Sequence, residues 1–211
     1  RLASIPALVV CALLQFAAAA QAASISLLRD PDIEHGLNRL AAPVLRAAGL
    51  NAARMRILLV NDSSFNAFVL DSRTIFVHYG LILKVTSPEM LQAVIAHEAA
   101  HITNGHLARR MQNLRSANSA AGLGLALSVL AAAAGFPAAG IAIGSQNSAL
   151  RSFLAHTRAE ESSADRSAAD YLNRAGISPQ GLVDLHRAFA GQEVLSAGSQ
   201  DPYTRSHPLS R

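Results

Sequence analysis

Five residues constrain this chain more than any others: His97-Glu98-Ala99-Ala100-His101. They act together only on a helix, where positions i and i+4 share a face. The flanking sequence predicts that helix. Ser87-Pro88-Glu89 supplies an N-cap, a proline at the first helical position and an acid in the first turn. Leu91, Val94 and Ile95 give it an apolar side, and Asn104-Gly105 ends it. On such a helix both imidazoles can bind one Zn²⁺, while Glu98 can reach an activated water and take its proton.

A catalytic zinc wants a third protein ligand and an open position. One known extension of the motif needs glycine at 104 and histidine at 107; this chain has Asn104 and Leu107. The other source is a carboxylate on a later helix, and Glu160-Glu161-Ser162-Ser163-Ala164-Asp165 supplies it. Glu161 and Asp165 are four residues apart and share a face, so Glu161 can bind zinc while Asp165 accepts an imidazole N–H and fixes its tautomer. Acids are favoured at any helix start, so this pair is informative only beside the histidine motif.

The rest of the chain reads as helices around a few strands. A helix spans Ile33 to Ala48 and stops at Gly49. Strands are expected at Arg56–Val60, Asn66–Leu70 and Thr74–His78, and a short helix near Leu81–Val85. Further helices are expected over about Ser152–Ala175 and from Ser178-Pro179 to about Ala190, followed by a loop from Gly191 to Pro208. His106 follows Gly105 and is expected to cap or pack rather than ligate. His35, His78, His156 and His186 show no partner pattern and read as structural or exposed.

Composition needs explaining in this light. The 211 residues are 51% hydrophobic and only 15% charged. That excludes intrinsic disorder and a charged coiled coil. The excess lies in two segments. Leu2–Ala23 carries no charge, has an apolar run from Ala7 to Leu14, and ends in the small-x-small site Ala20-Gln21-Ala22. It reads as a secretory signal peptide over residues 1–22, with the domain that carries the histidine motif over 23–211. Cys11, the only cysteine, lies inside it, so no thiol ligand or disulfide is expected after removal. The second segment, about 116–150, is uncharged and Gly/Ala/Leu-rich, and Gly135-Phe136-Pro137 breaks it into arms too short to span a bilayer separately. It reads as a hairpin or lid beside the cleft, or a surface for peripheral membrane contact. The net charge of +4 comes from scattered arginines, with Arg109-Arg110 the only adjacent pair, so no nucleic-acid partner is expected.

HEAAH, EESSAD and SHP, with NAFV and IFVHYGLI ahead of them, resemble the M48 family of gluzincin metallopeptidases. The likeness is strongest to a secreted, periplasmic branch concerned with outer-membrane assembly, and it covers nearly all of residues 23–211. Members of that branch carry a C-terminal tetratricopeptide-repeat region, and no such repeat lies within these residues. The resemblance implies an α+β, mainly helical zincin-like domain with a small sheet beside the motif helix. It implies one Zn²⁺ held by His97, His101 and Glu161, with Glu98 as general base and acid and Asp165 behind a ligand. It implies that Asn66, Ala67 and Phe68 border the cleft, where substrate backbone could pair. His207, in Ser206-His207-Pro208, matches a family histidine that approaches the metal, as a removable fourth ligand or as an aid to the oxyanion. The implied activity is endoproteolysis of misfolded or stalled envelope proteins in the periplasm, with outer-membrane assembly machinery as a partner. The alternatives are a membrane-embedded protease of the same family, and an assembly factor whose proteolytic site is mostly latent.

Overall fold

The structure is a computed structural model that describes residues 25–116, 157–192, 195 and 199–208. The expected leader, residues 1–22, and the uncharged run about 116–150, save for Ser116, lie outside the described residues, as does His156. Among the described residues no helix is long and apolar enough to cross a membrane.

Helix α1 (Pro31–Ala47) begins where the Asp30 carboxylate accepts the amides of Asp32 and Ile33. It ends at Gly49, whose φ of 76° lets the Leu50 amide return to the Leu45 carbonyl at 2.9 Å. Among the described residues four strands follow the order β1 (Leu27–Leu28), β2 (Arg56–Val60), β4 (Thr74–His78), β3 (Ala67–Val69) across one mixed sheet. β2 and β4 run parallel, with Ile57 opposite Ile75; β1 and β3 pair antiparallel on the outside. Both faces are covered, which is why β2 and β4 read as continuous apolar runs rather than alternating ones. Ile57, Ala67, Val69, Ile75 and Val77 face the main helical core. Leu58, Val60, Phe68, Leu70 and Phe76 face a second cluster.

β4 runs directly into α2 (Tyr79–Lys84), and α3 (Pro88–Thr103) then passes through the middle of the domain. The Ser87 hydroxyl accepts the Met90 amide, as the cap signal predicted. From Met90 to His101 the helix is buried nearly all round, because α1, α5 (Arg158–Arg174), α6 (Gln180–Phe189) and β3 all pack on it. α5 starts at a capping box in which Thr157 and Glu160 satisfy each other's backbone amides. A polar seam joins α3 to α5: Thr103 Oγ1 lies 2.7 Å from the Tyr171 hydroxyl, and the Asn104 amide donates to Ser163 and Ser167. The result is the α+β, mainly helical domain that the sequence implied.

Two segments differ from expectation. Gly105, at φ 68°, ends α3 but not helicity: α4 (His106–Ser116) starts at once and covers the second cluster with Leu107 and Met111. The stretch expected to be loop near the C-terminus contains α7 (Pro202–Ser206), capped by Asp201 with proline at its first position. The Asp201-Pro202 pair within that expected loop is a helix start.

Candidate metal centre

α3 carries His97, Glu98 and His101, all essentially buried. The two Nε2 atoms converge to 3.0 Å. α5 brings Glu161 against them, with Oε2 3.1 Å from His97 Nε2 and Oε1 3.4 Å from His101 Nε2. His207, just past α7, adds Nδ1 at 3.4 Å from His97 Nε2 and 3.3 Å from Glu161 Oε1. One ligand atom from each of these four buried residues lies within 4.8 Å of the others. Metal–ligand bonds of about 2.1 Å in a tetrahedron put ligand atoms about 3.4 Å apart, so these spacings suit one small cation. The donor set, three imidazoles and a carboxylate, is also the set that zinc favours.

The Glu98 carboxylate sits beside this cluster, fully buried, and neither oxygen has a hydrogen-bond partner. His207 Nε2 stands 3.5 Å from Oε1. A buried, unsatisfied carboxylate is costly, and its presence here fits a group aimed at something the site binds. Burial pushes the Glu98 pKa up, against the pull of His207 and His97, and Glu161 adds to the rise. Glu161 goes the other way. Burial works against its charge, but His207 and His97 outweigh it and hold the carboxyl at about 2. His97 is burdened by burial yet lifted well above its ordinary value by Asp165 and Glu161.

Each site residue read from the sequence can be located. Asp165 Oδ1 lies 3.0 Å from His97 Nδ1, the ring nitrogen turned away from the cluster. Of the strand residues, Ala67 comes nearest: its carbonyl is 3.3 Å from His207 Nε2. The Asn66 carbonyl accepts the His78 amide at 3.0 Å, so Asn66 and Phe68 bond inward to β4, and the alternation of an antiparallel pair turns the backbone of Ala67 and Val69 to the free edge. The Asn66 side-chain oxygen is buried without a partner, and Phe68 stacks on Phe76 at 5.1 Å on the other face.

α7 is braced by aromatic contacts. The Tyr203 ring lies 4.4 Å from the His207 ring and stacks on Phe189 at 5.1 Å, and its amide donates to the Phe65 carbonyl. Three histidines without a sequence pattern also have partners. His106 Nδ1 meets His101 Nδ1 at 2.8 Å, His186 Nε2 lies 3.4 Å from Asp165 Oδ1, and His78 bonds to the Ser64 hydroxyl at 2.9 Å. His35 is exposed. No spacing rule would have found His186, whose partner lies on another helix.

The chain is similar to known proteases. The chain is 29% identical over 188 residues to the beta-barrel assembly-enhancing protease of Escherichia coli strain K12, covering 88% of this chain and 38% of that protein. It is 29% identical over 172 residues to the beta-barrel assembly-enhancing protease of Yersinia pestis, covering 81% and 35%. It is 33% identical over 148 residues to the metalloprotease LoiP of Escherichia coli strain K12, covering 69% and 54%. The chain thus spans little more than a third of the length of the assembly-enhancing proteases it matches. The profile of peptidase family M48 matches residues 27–211, and the chain therefore belongs to this family of metal-dependent peptidases.

Proposed function

We propose that the chain is a zinc-dependent endopeptidase that hydrolyses peptide bonds in misfolded or stalled envelope proteins. The observation that carries this reading is the buried convergence of His97, His101, Glu161 and His207 beside a Glu98 carboxylate that has no hydrogen-bond partner. His97, His101 and Glu161 would hold the ion, and Asp165 would orient His97 through its Nδ1–H. Bound zinc supplies Lewis acidity to a water molecule and to the scissile carbonyl. Glu98 takes the proton of the attacking water and delivers it to the leaving amine. Ala67 and Val69 offer free-edge backbone groups to which an extended substrate can add as a strand. The relatives' name, beta-barrel assembly-enhancing protease, supports a role in envelope-protein assembly; a periplasmic location and the outer-membrane assembly machinery as partner belong to this same reading.

A second reading, a latent protease whose main work is assembly, is favoured by one observation. His207 reaches the ligand cluster with Nδ1 and the Ala67 carbonyl with Nε2, so it stands where both the open metal position and the substrate backbone are needed. The test is zinc content and casein cleavage for the native chain, Glu161→Ala and Glu98→Gln, with rescue of an envelope defect measured alongside. Loss of zinc in Glu161→Ala and loss of cleavage in both variants supports the protease. Full rescue by Glu98→Gln favours the assembly factor, and undiminished zinc in Glu161→Ala overturns the ligand assignment.

A further inference from the structure

The two histidines of α3 are backed by unlike partners. His97 Nδ1 faces the Asp165 carboxylate, whereas His101 Nδ1 faces Nδ1 of another imidazole, His106, at 2.8 Å. His101 is 0% exposed and His106 1% exposed, and the rings meet edge to face with centroids 4.9 Å apart. The contact is a product of the chain path. Residues five apart on an unbroken helix point about 140° away from each other. Gly105, at φ 68°, ends α3 and turns the chain so that the first residue of α4 comes back over His101. The Arg109 guanidinium fastens this turn by donating to the Asn104 carbonyl at 2.7 Å.

Two neutral imidazole nitrogens at this distance share one proton, so one ring donates and the other accepts. A His101 that offers the Nε2 lone pair to the cluster carries its proton on Nδ1 and must be the donor. We propose that His106 is a positioning residue for His101, accepting the His101 Nδ1–H and so fixing the tautomer and ring angle that aim Nε2 at the metal. The inference rests on the reading of the cluster as a zinc site. It gives the site two different orienting devices. An anion behind His97 both aims that ring and raises its basicity. An imidazole behind His101 aims the second ring without adding a further carboxylate to a cluster that already holds Glu161 and Glu98.

The test uses the full chain and two readouts, zinc affinity by competition with a chelator and imidazole ¹⁵N–¹H NMR. His106→Leu and His106→Phe keep bulk and remove the acceptor; His106→Asn places a side-chain oxygen close to where Nδ1 stood. The apolar variants are expected to bind zinc about 10–100-fold more weakly, with the Asn variant recovering most of that loss. In the native chain a scalar coupling across the N–H···N bond should link the two rings. A native chain without that coupling overturns the proposal, whether or not the apolar variants fold. So do folded apolar variants with native zinc affinity. A native chain that takes up no zinc overturns the reading of the cluster itself, whereas native uptake with insensitive variants overturns only the role of His106.

Discussion

His207 Nε2 stands 3.5 Å from Oε1 of Glu98, a fully buried carboxylate that has no hydrogen-bond partner of its own. The acid–base group of the proposed reaction therefore lies beside the same imidazole that joins the candidate metal-holding cluster, and the two residues can be tested separately.

Glu98→Gln keeps the shape of the side chain and removes its capacity to take a proton. General acid–base groups contribute about 10²–10⁴-fold, so casein cleavage should fall by that factor. Zinc content should not change, because Glu98 is not among the four converging residues that could hold the ion. A parallel loss of zinc would mean that Glu98 ligates rather than catalyses.

His207→Ala separates a latch from a catalytic aid. His207 bridges the Ala67 carbonyl and the His97–Glu161 pair, so its removal should clear the strand edge and one metal position. Casein cleavage should rise; a rise of about tenfold corresponds to about 1.4 kcal/mol holding the closed arrangement. A fall in turnover with unchanged zinc would instead assign His207 to the oxyanion.

Much of this site was legible because the spacing rules of a helix are strict. His97, Glu98 and His101 follow from i, i+4 geometry on a helix whose cap and stop are also written in the sequence. Glu161 and Asp165 follow from the same rule on α5. His106 and His186 were not legible. His106 needs the reversal at Gly105, and a glycine stop does not say where the next helix begins. His186 reaches Asp165 only because α6 packs beside α5 on α3. α7 is not legible because Asp-Pro serves equally as a turn and as a capped helix start. The two-residue β1 pairs with β2 through tertiary placement rather than through any pattern of its own.

Asp165→Asn should weaken zinc binding by about 10–100-fold while leaving the fold in place. The amide oxygen can still accept the His97 Nδ1–H, but the charge that raises the basicity of that ring is gone. Competition with a chelator measures the change. Unaltered affinity would confine Asp165 to packing between His97 and His186.

Metal removal and pH should act together. In the metal-free protein the His97 pKa lies well above its ordinary 6.5: burial opposes its charge, but Asp165 and Glu161 outweigh it. A raised folded-state value adds stability that is fully present below the unfolded pKa and lost as pH rises through the folded one. Zinc needs the bare nitrogen, so its stabilisation grows over the same rise. The Tm difference between zinc-loaded and chelator-treated protein should therefore widen as pH rises above about 6.5. On the acid side, Glu161 is lowered from 4.5 to about 2, so its contribution is fully present above 4.5 and is lost as pH falls from 4.5 to about 2. A Tm gap that narrows with rising pH would contradict the assignment of His97 as a ligand.

The packing that positions α3 can be tested at two glycines of opposite character. A Cβ on Gly181 would lie 2.3 Å from the Glu89 carbonyl oxygen and 2.7 Å from the Met90 amide nitrogen. Both are backbone atoms at the start of α3, so α6 would have to move, and it carries Leu182, Leu185 and Phe189 into the core. Overpacking of this kind costs about 1–3 kcal/mol, and in a chain of this size each kcal/mol lowers Tm by about 2–4 °C. Gly36 lies within α1, and a Cβ there meets nothing within 4 Å. Gly36→Ala should stabilise by about 0.5–1 kcal/mol, because it restricts the unfolded chain without crowding the folded one. Thermal melts of the two single variants should therefore shift in opposite directions; a Gly181→Ala variant as stable as the native chain would mean that α6 does not press on the start of α3.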